Sequence, residues 1–253
     1  MNFDGYTGVL IAILVLGVFT LFGTALNMSA YGRLRKSGAT AWTLPSPVAW
    51  LLFESPQLFA FAVTFWLMAE AHSTVALVLF GLWQAHYLHR GLLYPMRRND
   101  QGKRFPILAV VFGFAFNLMN GYANGYAVSH AAHLASDTWF ATPWFICGLA
   151  VALTGWLINF QADNILINLR SDGSTGYKIP YGGAFRYVSA ANYFGEILLW
   201  IGWALMSLTQ AGLVFVLFTL ANLVPRAIHS HRWYRATFPD YPPERKAIVP
   251  FLL

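Results

Sequence analysis

The chain has 253 residues, of which 57% are hydrophobic and only 10% are charged. Soluble domains carry about 45–50% apolar and about 25% charged residues, so this composition excludes an ordinary soluble domain and predicts an integral membrane protein. The net charge of +6 is spread over short segments, which argues against nucleic-acid binding. Cys147 is the single cysteine, so an intramolecular disulfide is excluded.

Long apolar runs predict an all-α protein, a bundle of seven transmembrane helices. The predicted helices cover residues 6–31, 47–68, 73–95, 105–128, 143–169, 191–208 and 212–229. No run alternates with the period of an outer-membrane β-barrel. The chain contains no internal repeat, no linker and no GxGxxG, P-loop or HExxH motif. We therefore expect one domain, residues 1–253, whose helices and short loops must hold any cofactor.

The basic residues predict the orientation of this bundle in the membrane. No Lys or Arg precedes the first run, whereas Arg33, Arg35 and Lys36 follow it directly, which is typical of an uncleaved helix with its N-terminus outside. Seven crossings then place all 16 Lys and Arg residues in the inner loops and the C-terminal tail. The positive-inside rule accordingly predicts an outer N-terminus and a cytoplasmic C-terminus.

Polar residues concentrate between residues 157 and 196. On one apolar helix, Asn159, Asp163 and Arg170 lie within roughly 40° of one another at about 100° per residue. Asn192 and Glu196 stand one turn apart at the start of the next helix. The connecting loop carries Tyr177, Lys178 and Arg186. Polar helix faces on both sides of a basic loop indicate the mouth of a site for a large anionic ligand.

Two further polar residues lie inside the predicted membrane region. Ionisable groups at this depth are costly, so each is a functional candidate. At 1.5 Å per residue, Glu54 and Tyr87 lie about 10 Å and about 12 Å from the inner face. Apolar surroundings favour a protonated carboxyl group, so both side chains are expected to donate hydrogen bonds. Two such donors can polarise a carbonyl group and hold an enolate. The alternative is that Glu54 only forms a hydrogen bond with a neighbouring helix and that Tyr87 only packs against its neighbours.

Histidines lie next to Tyr87, at His86 and His89, and could suggest a metal site. They have no third ligand and no HExxH pattern. Their spacing is more typical of residues that form hydrogen bonds on a helix face. We therefore predict no metal site.

Several long strings resemble the steroid 5α-reductases, from about residue 54 to the C-terminus. They are the Glu54 region with its Ser-Pro, AHYLHRGLLYP, NLMNGYANGY, INFQADNILINLR, GYKIPYGGAFRYVSAANYFGEILLWIGWAL and HRWYRATFPDYPPERKAIVPFLL. The resemblance implies a seven-helix membrane oxidoreductase, a 3-oxo-5α-steroid 4-dehydrogenase. Such an enzyme uses NADPH to reduce the double bond between carbons 4 and 5 of a 3-oxo-Δ4-steroid. The membrane would be a bacterial inner membrane or the endoplasmic reticulum.

The resemblance also implies roles for individual residues. Glu54 and Tyr87 would grip the 3-keto oxygen. Lys178 stands where the family pattern has arginine, and lysine supplies charge to a phosphate without the bidentate fork of arginine. The loop PMRRNDQGKRFP is longer than is usual in the family. The implied cofactor-binding residues, with the basic ones among residues 90–104 near the phosphates, are Arg90, Arg98, Arg104, Asn159, Asp163, Arg170, Tyr177, Lys178, Asn192, Glu196 and Tyr234.

Two other functions remain open at the level of sequence. A membrane methyltransferase of the isoprenylcysteine type has a similar tail, but S-adenosylmethionine carries no phosphates to engage the inner basic residues. A sterol-binding or scaffold protein would need neither an acidic residue inside the membrane nor a basic opening that binds phosphate. The expected partners are a 3-oxo-Δ4-steroid or a related apolar enone and membrane lipid, with no nucleic acid and no protein partner. The proton donor to carbon 4 is either Tyr87 or a water molecule.

Overall fold

The computed structural model describes residues 5–26, 42–68, 72–97, 103–169 and 176–253. Within these ranges the chain is predominantly helical. The α-helices are α1 Gly5–Ala25, α2 Ser46–Leu67, α3 Thr74–Tyr87, α4 Tyr94–Arg97, α5 Ile107–His130, α6 Pro143–Asn168, α7 Ala191–Ser207 and α8 Gln210–Thr237. Five of them, namely α1, α2, α5, α6 and α8, are long and apolar enough to cross a membrane. Two three-residue strands, β1 Thr43–Pro45 and β2 Arg104–Pro106, pair antiparallel. They directly precede α2 and α5 and connect the starts of these two helices.

The seven predicted segments each contain an observed helix, but three of them differ in detail. The last, predicted over residues 212–229, is observed as the longer α8 Gln210–Thr237. The segment predicted over residues 73–95 is helical from Thr74 onward, but α3 continues into a π-helix over Leu88–Leu93 and then into α4, which the sequence did not predict. π-Helical turns are rare and are frequent at functional sites. The first helix ends at Ala25, and residues 27–31 of that predicted segment lie outside the described part of the chain.

Glycines bring α6 and α7 into close contact. A side chain on Gly195 would collide with the backbone of Asn159 and Gly155, and one on Gly202 would collide with the backbone of Ala152. Small residues at facing positions let helix backbones approach in this way, as is usual in membrane proteins. The close approach sets the polar face of α6, which carries Asn159, directly against the first turns of α7.

A buried polar contact fixes α2 against α5. Gln57 is fully buried, and its Nε2 donates to Asn117 Oδ1 at 2.8 Å. Asn117 in turn donates from Nδ2 to the backbone oxygen of Phe53. Gly121 on α5 faces the backbone of the same part of α2. These contacts hold the turn of α2 that carries Glu54 in a defined orientation.

The C-terminal tail folds back onto the loop between α6 and α7. Lys246 pairs with Val188 in a parallel bridge, and Arg245 Nη1 donates to the backbone oxygen of Pro180 at 3.0 Å. Ser189 Oγ is hydrogen-bonded to His231 on α8 at 2.6 Å. The tail and α8 therefore hold the loop in place beside the end of α6.

Candidate functional site

Arg90 is the centre of the site, because three carboxyl groups converge on its guanidinium. Its Nη1 lies 2.9 Å from Asp163 Oδ2, and its Nη2 lies 3.3 Å from Glu196 Oε2. Its Nε lies 3.9 Å from Glu54 Oε1. The four residues come from the π-helix, α6, α7 and α2, so the cluster ties four elements together. We call these four residues the Arg90 cluster.

The Arg90 cluster is largely shielded from solvent. The exposed fractions of the side chains are 12% for Arg90 and Glu54, 3% for Asp163 and 15% for Glu196. The ring of Tyr94 also flanks the guanidinium, 4.8 Å from its carbon. Buried charges require partners of opposite charge, and removing one partner of such a pair is strongly destabilising.

Neighbouring side chains orient Glu196. Asn159 Nδ2 donates to Glu196 Oε2 at 3.2 Å and to the backbone oxygen of Asn192 at 2.9 Å. Trp200, one turn along α7, donates from Nε1 to Glu196 Oε1 at 3.5 Å. The contact between α6 and α7 thus positions an amide and a carboxyl group side by side.

A cavity of about 700 Å³, including its mouth, lies between α2, α5, α7, α8 and the end of α3. Glu54, Tyr87, Arg90 and Glu196 all line it. Tyr87 is only 3% exposed, and its ring is stacked at 5.7 Å on that of Trp200. The aromatic part of the wall is completed by Trp50, Phe53, Phe116, Tyr193, Phe215 and Phe218. The cavity therefore combines aromatic walls with polar and ionisable side chains, which include Asn117, Asn222 and Arg226.

A smaller pocket of about 260 Å³ lies at the end of α6. It is lined by Tyr177, Lys178 and Tyr234, together with Leu166 and Leu169. The two leucines follow Asp163 by three and six residues, so this pocket lies about 5–9 Å along α6 from the Arg90 cluster.

The structure divides the predicted cofactor residues into two groups. Arg90, Asn159, Asp163, Asn192 and Glu196 meet beside the large cavity, and the other three described residues of the α6–α8 region line the small pocket. Asn159 and Asp163 of the predicted stripe both belong to the first group, and its third member, Arg170, lies outside the described part of the chain.

Two predicted residues, Arg98 and Arg170, lie outside the described part of the chain. Arg104 lies on β2, where its Nε donates to Thr43 Oγ1 at 2.7 Å on an exposed surface. It is not among the described residues that line either pocket.

Sequence reasoning assigned no specific role to Arg97, which donates from Nη2 to Asn164 Oδ1 at 2.6 Å. It also missed Asn117 and Trp200, which line the cavity beside Glu54 and Tyr87. Asn117 had a readable signal, because it is one of three asparagines, with Asn120 and Asn124, in a mostly apolar helix. Trp200 had none, since its environment depends on how α7 packs.

The chain is similar to known proteins over nearly its whole length. The sequence profile of the family described as 3-oxo-5-alpha-steroid 4-dehydrogenase matches residues 103–253. Steroid 5-alpha-reductase DET2 of Solanum lycopersicum is 42% identical over 95% of this chain and 94% of its own. The 3-oxo-5-alpha-steroid 4-dehydrogenase 1 of Bos taurus is 40% identical over 94% and 93%. The protein of that name from Homo sapiens is 43% identical over 88% and 86%.

Proposed function

The chain belongs to the 3-oxo-5-alpha-steroid 4-dehydrogenase family, and we propose that it reduces the double bond between carbons 4 and 5 of a 3-oxo-Δ4-steroid or related apolar enone, using NADPH. It is a multi-pass membrane protein with five helices apolar enough to cross a bilayer. The observation that carries the proposal is that Glu54 and Tyr87 line one cavity together with Arg90 and Glu196. A carbonyl-binding pair thereby adjoins the residues expected to hold a cofactor.

The walls of the cavity suit a rigid apolar substrate. Ligand pockets are lined mostly by apolar side chains and carry a few polar groups that fix the ligand's orientation. Phe116, Trp200, Phe215 and Phe218 provide flat apolar surfaces here. A steroid dissolved in the bilayer would enter this cavity and place its ketone beside Glu54 and Tyr87.

In the proposed reaction, Glu54 and Tyr87 donate hydrogen bonds to the 3-keto oxygen. A hydride adds to carbon 5, the π electrons of the carbon 4–5 bond move toward the oxygen, and an enolate forms. The two donors stabilise the charge that develops on the oxygen, which is the type of interaction that contributes most to many enzymatic rates. Collapse of the enolate takes up a proton at carbon 4, delivered by Tyr87 or by a water molecule.

The residues fit a nicotinamide cofactor, which supplies the hydride when bound. Asn159 and Glu196 present an amide and a carboxyl group that match the donor and acceptor of a carboxamide. Lys178 provides a cation in the small pocket, with the rings of Tyr177 and Tyr234 beside it. The distance along α6 between the two groups suits an elongated ligand with an amide at one end and phosphates toward the other.

The proposal is tested with purified protein in lipid nanodiscs. We expect NADPH oxidation that depends on an added 3-oxo-Δ4-steroid and is lost in Tyr87→Phe. Binding of S-adenosylmethionine, measured by calorimetry on the same sample, separates the reductase from a methyltransferase. Tight binding of S-adenosylmethionine with no detectable binding of NADPH would overturn the proposed function.

A further inference from the structure

Two short series of buried hydrogen bonds lie inside the apolar bundle, and the first joins α7 to α5. Trp203 Nε1 donates to Asn124 Oδ1 at 2.9 Å, and Asn124 Nδ2 donates to Asn120 Oδ1 at 3.0 Å. Both asparagines are fully buried. The series ends at Asn120 Nδ2, a buried donor with no hydrogen-bond partner among the described residues.

The second series joins α2 to α5 and returns to α2. Gln57 Nε2 donates to Asn117 Oδ1 at 2.8 Å, and Asn117 Nδ2 donates to the backbone oxygen of Phe53. Gln57 is also fully buried. Its Oε1 is a buried acceptor that has no partner in the described part of the chain. The first series therefore ends on an unpaired donor, and the second begins with an unpaired acceptor.

The two unpaired atoms belong to side chains that lie close together. Asn117 and Asn120 are three residues apart on α5, so about 5–6 Å separates their Cβ atoms. Gln57 is bonded to the first of these two asparagines. A Cβ atom added to Gly121, which follows Asn120, would lie only 3.2 Å from the backbone oxygen of Gln57. The two unpaired atoms do not bond each other directly, so one small molecule between them would satisfy both.

The direction of the hydrogen bonds decides what this molecule can be. The indole N–H of Trp203 can only donate, and the backbone oxygen of Phe53 can only accept. Each side-chain amide between them therefore accepts on its oxygen and donates from its nitrogen. The bridging molecule must accept a hydrogen bond from Asn120 and donate one to Gln57. Water does both, whereas a chloride ion only accepts and a metal cation would face the N–H group of Asn120.

We propose that a water molecule binds between Asn120 Nδ2 and Gln57 Oε1 and joins the two series into one hydrogen-bond chain. Buried waters in proteins typically bond polar groups that otherwise have no partner. Unpaired polar groups are costly inside an apolar bundle, which favours occupancy of this site. Asn117 and Phe53 both line the large cavity beside Glu54. The bound water thus connects this part of the cavity wall to α7.

The test is a crystal structure of the full chain grown from a lipid phase, at a resolution that shows ordered water. In the wild type we expect a density peak about 2.7–3.2 Å from both Asn120 Nδ2 and Gln57 Oε1. Asn120→Leu removes the donor with little change of shape, so this variant should lose the peak. Thr154→Val is the matched control, because the Thr154 hydroxyl donates to the backbone oxygen of Ala150 within α6. This variant should keep the peak.

Three results would overturn the proposal. The first is a wild-type structure in which Asn120 and Gln57 bond each other directly or have no density between them. The second is a peak that persists in Asn120→Leu, because its binding would then not depend on the donor. The third is a peak that anomalous scattering identifies as an ion. The wild-type structure decides the proposal even if Asn120→Leu does not fold, and no steroid or nucleotide is needed, so the result is independent of the proposed function.

Discussion

Arg90 stabilises the site because it is the shared partner of Glu54, Asp163 and Glu196. Arg90→Leu would remove the guanidinium that these three buried carboxyl groups share. Removing one partner of a buried ion pair costs about 3–5 kcal/mol, so we expect a clear fall in the melting temperature measured in detergent. Arg97→Ala is the control, because Arg97 is exposed and its loss should change stability by only about 0.5 kcal/mol. Equal melting temperatures for the two variants would contradict this role.

Glu54 and Tyr87 are expected to act by donating hydrogen bonds to the substrate ketone. Removing one such donor typically lowers the rate about 10²–10³-fold, so Tyr87→Phe should lose most of its turnover. Glu54→Gln still donates a hydrogen bond and should retain more activity than Glu54→Ala. Steady-state turnover with a 3-oxo-Δ4-steroid measures the series.

The cofactor provides the control for this series. NADPH affinity measured by calorimetry should change little in Tyr87→Phe, because its ring still stacks on Trp200. Turnover close to that of the wild type in both Tyr87→Phe and Glu54→Ala would show that the site has been misplaced.

The contact between α6 and α7 is the element on which the cofactor residues depend. Gly195→Ala places a methyl group against the backbone of Asn159 and Gly155. Overpacking of this kind costs about 1–3 kcal/mol and should separate Asn159 from Glu196. We therefore expect a lower melting temperature together with weaker NADPH binding. Gly8→Ala on α1 is the matched control, since nothing lies within 4 Å of the added methyl group. A loss of stability in Gly8→Ala equal to that in Gly195→Ala would contradict the proposed contact.

The positions of the helices could be predicted from apolar runs. That Asn159 and Asp163 share one helix face could be predicted from their spacing of four residues. The π-helix over Leu88–Leu93 could not, because the six-residue stretch Leu-His-Arg-Gly-Leu-Leu does not distinguish α from π hydrogen bonding. The close approach of Gly91 to Glu54 depends on how the helices pack, so the sequence alone does not reveal it. The same holds for Arg90. The resemblance places it near phosphates, whereas its carboxylate partners come from segments far along the chain and no local pattern reveals them.

The whole molecule is proposed to cross the membrane seven times. Beyond the five long apolar helices, α3, the π-helix and α4 form a helical segment from Thr74 to Arg97, and α7 has 17 residues. At 1.5 Å per residue α7 is about 25 Å long, a little under the hydrocarbon thickness of about 30 Å. Its close contact with α6 allows it to cross beside a longer helix.

The orientation of the bundle can be tested directly. The positive-inside rule predicts an outer N-terminus and a cytoplasmic C-terminus, since all 16 Lys and Arg residues fall on one side of the seven predicted crossings. A reporter fused after Leu253 should therefore report the cytoplasm. A matching fusion ahead of Met1 should report the opposite side. A C-terminal reporter found on the outer side would contradict this topology.

The central claim is that the cavity beside Arg90 directs a hydride to carbon 5 of an enone held by Glu54 and Tyr87. The most direct measurement follows deuterium from NADPH labelled at carbon 4 of its nicotinamide into the product, with a 3-oxo-Δ4-steroid as substrate. We predict a saturated 3-oxo-steroid with deuterium at carbon 5 and a solvent hydrogen at carbon 4, located by NMR and mass spectrometry. Absence of a reduced product, or deuterium at any other carbon, would contradict the account.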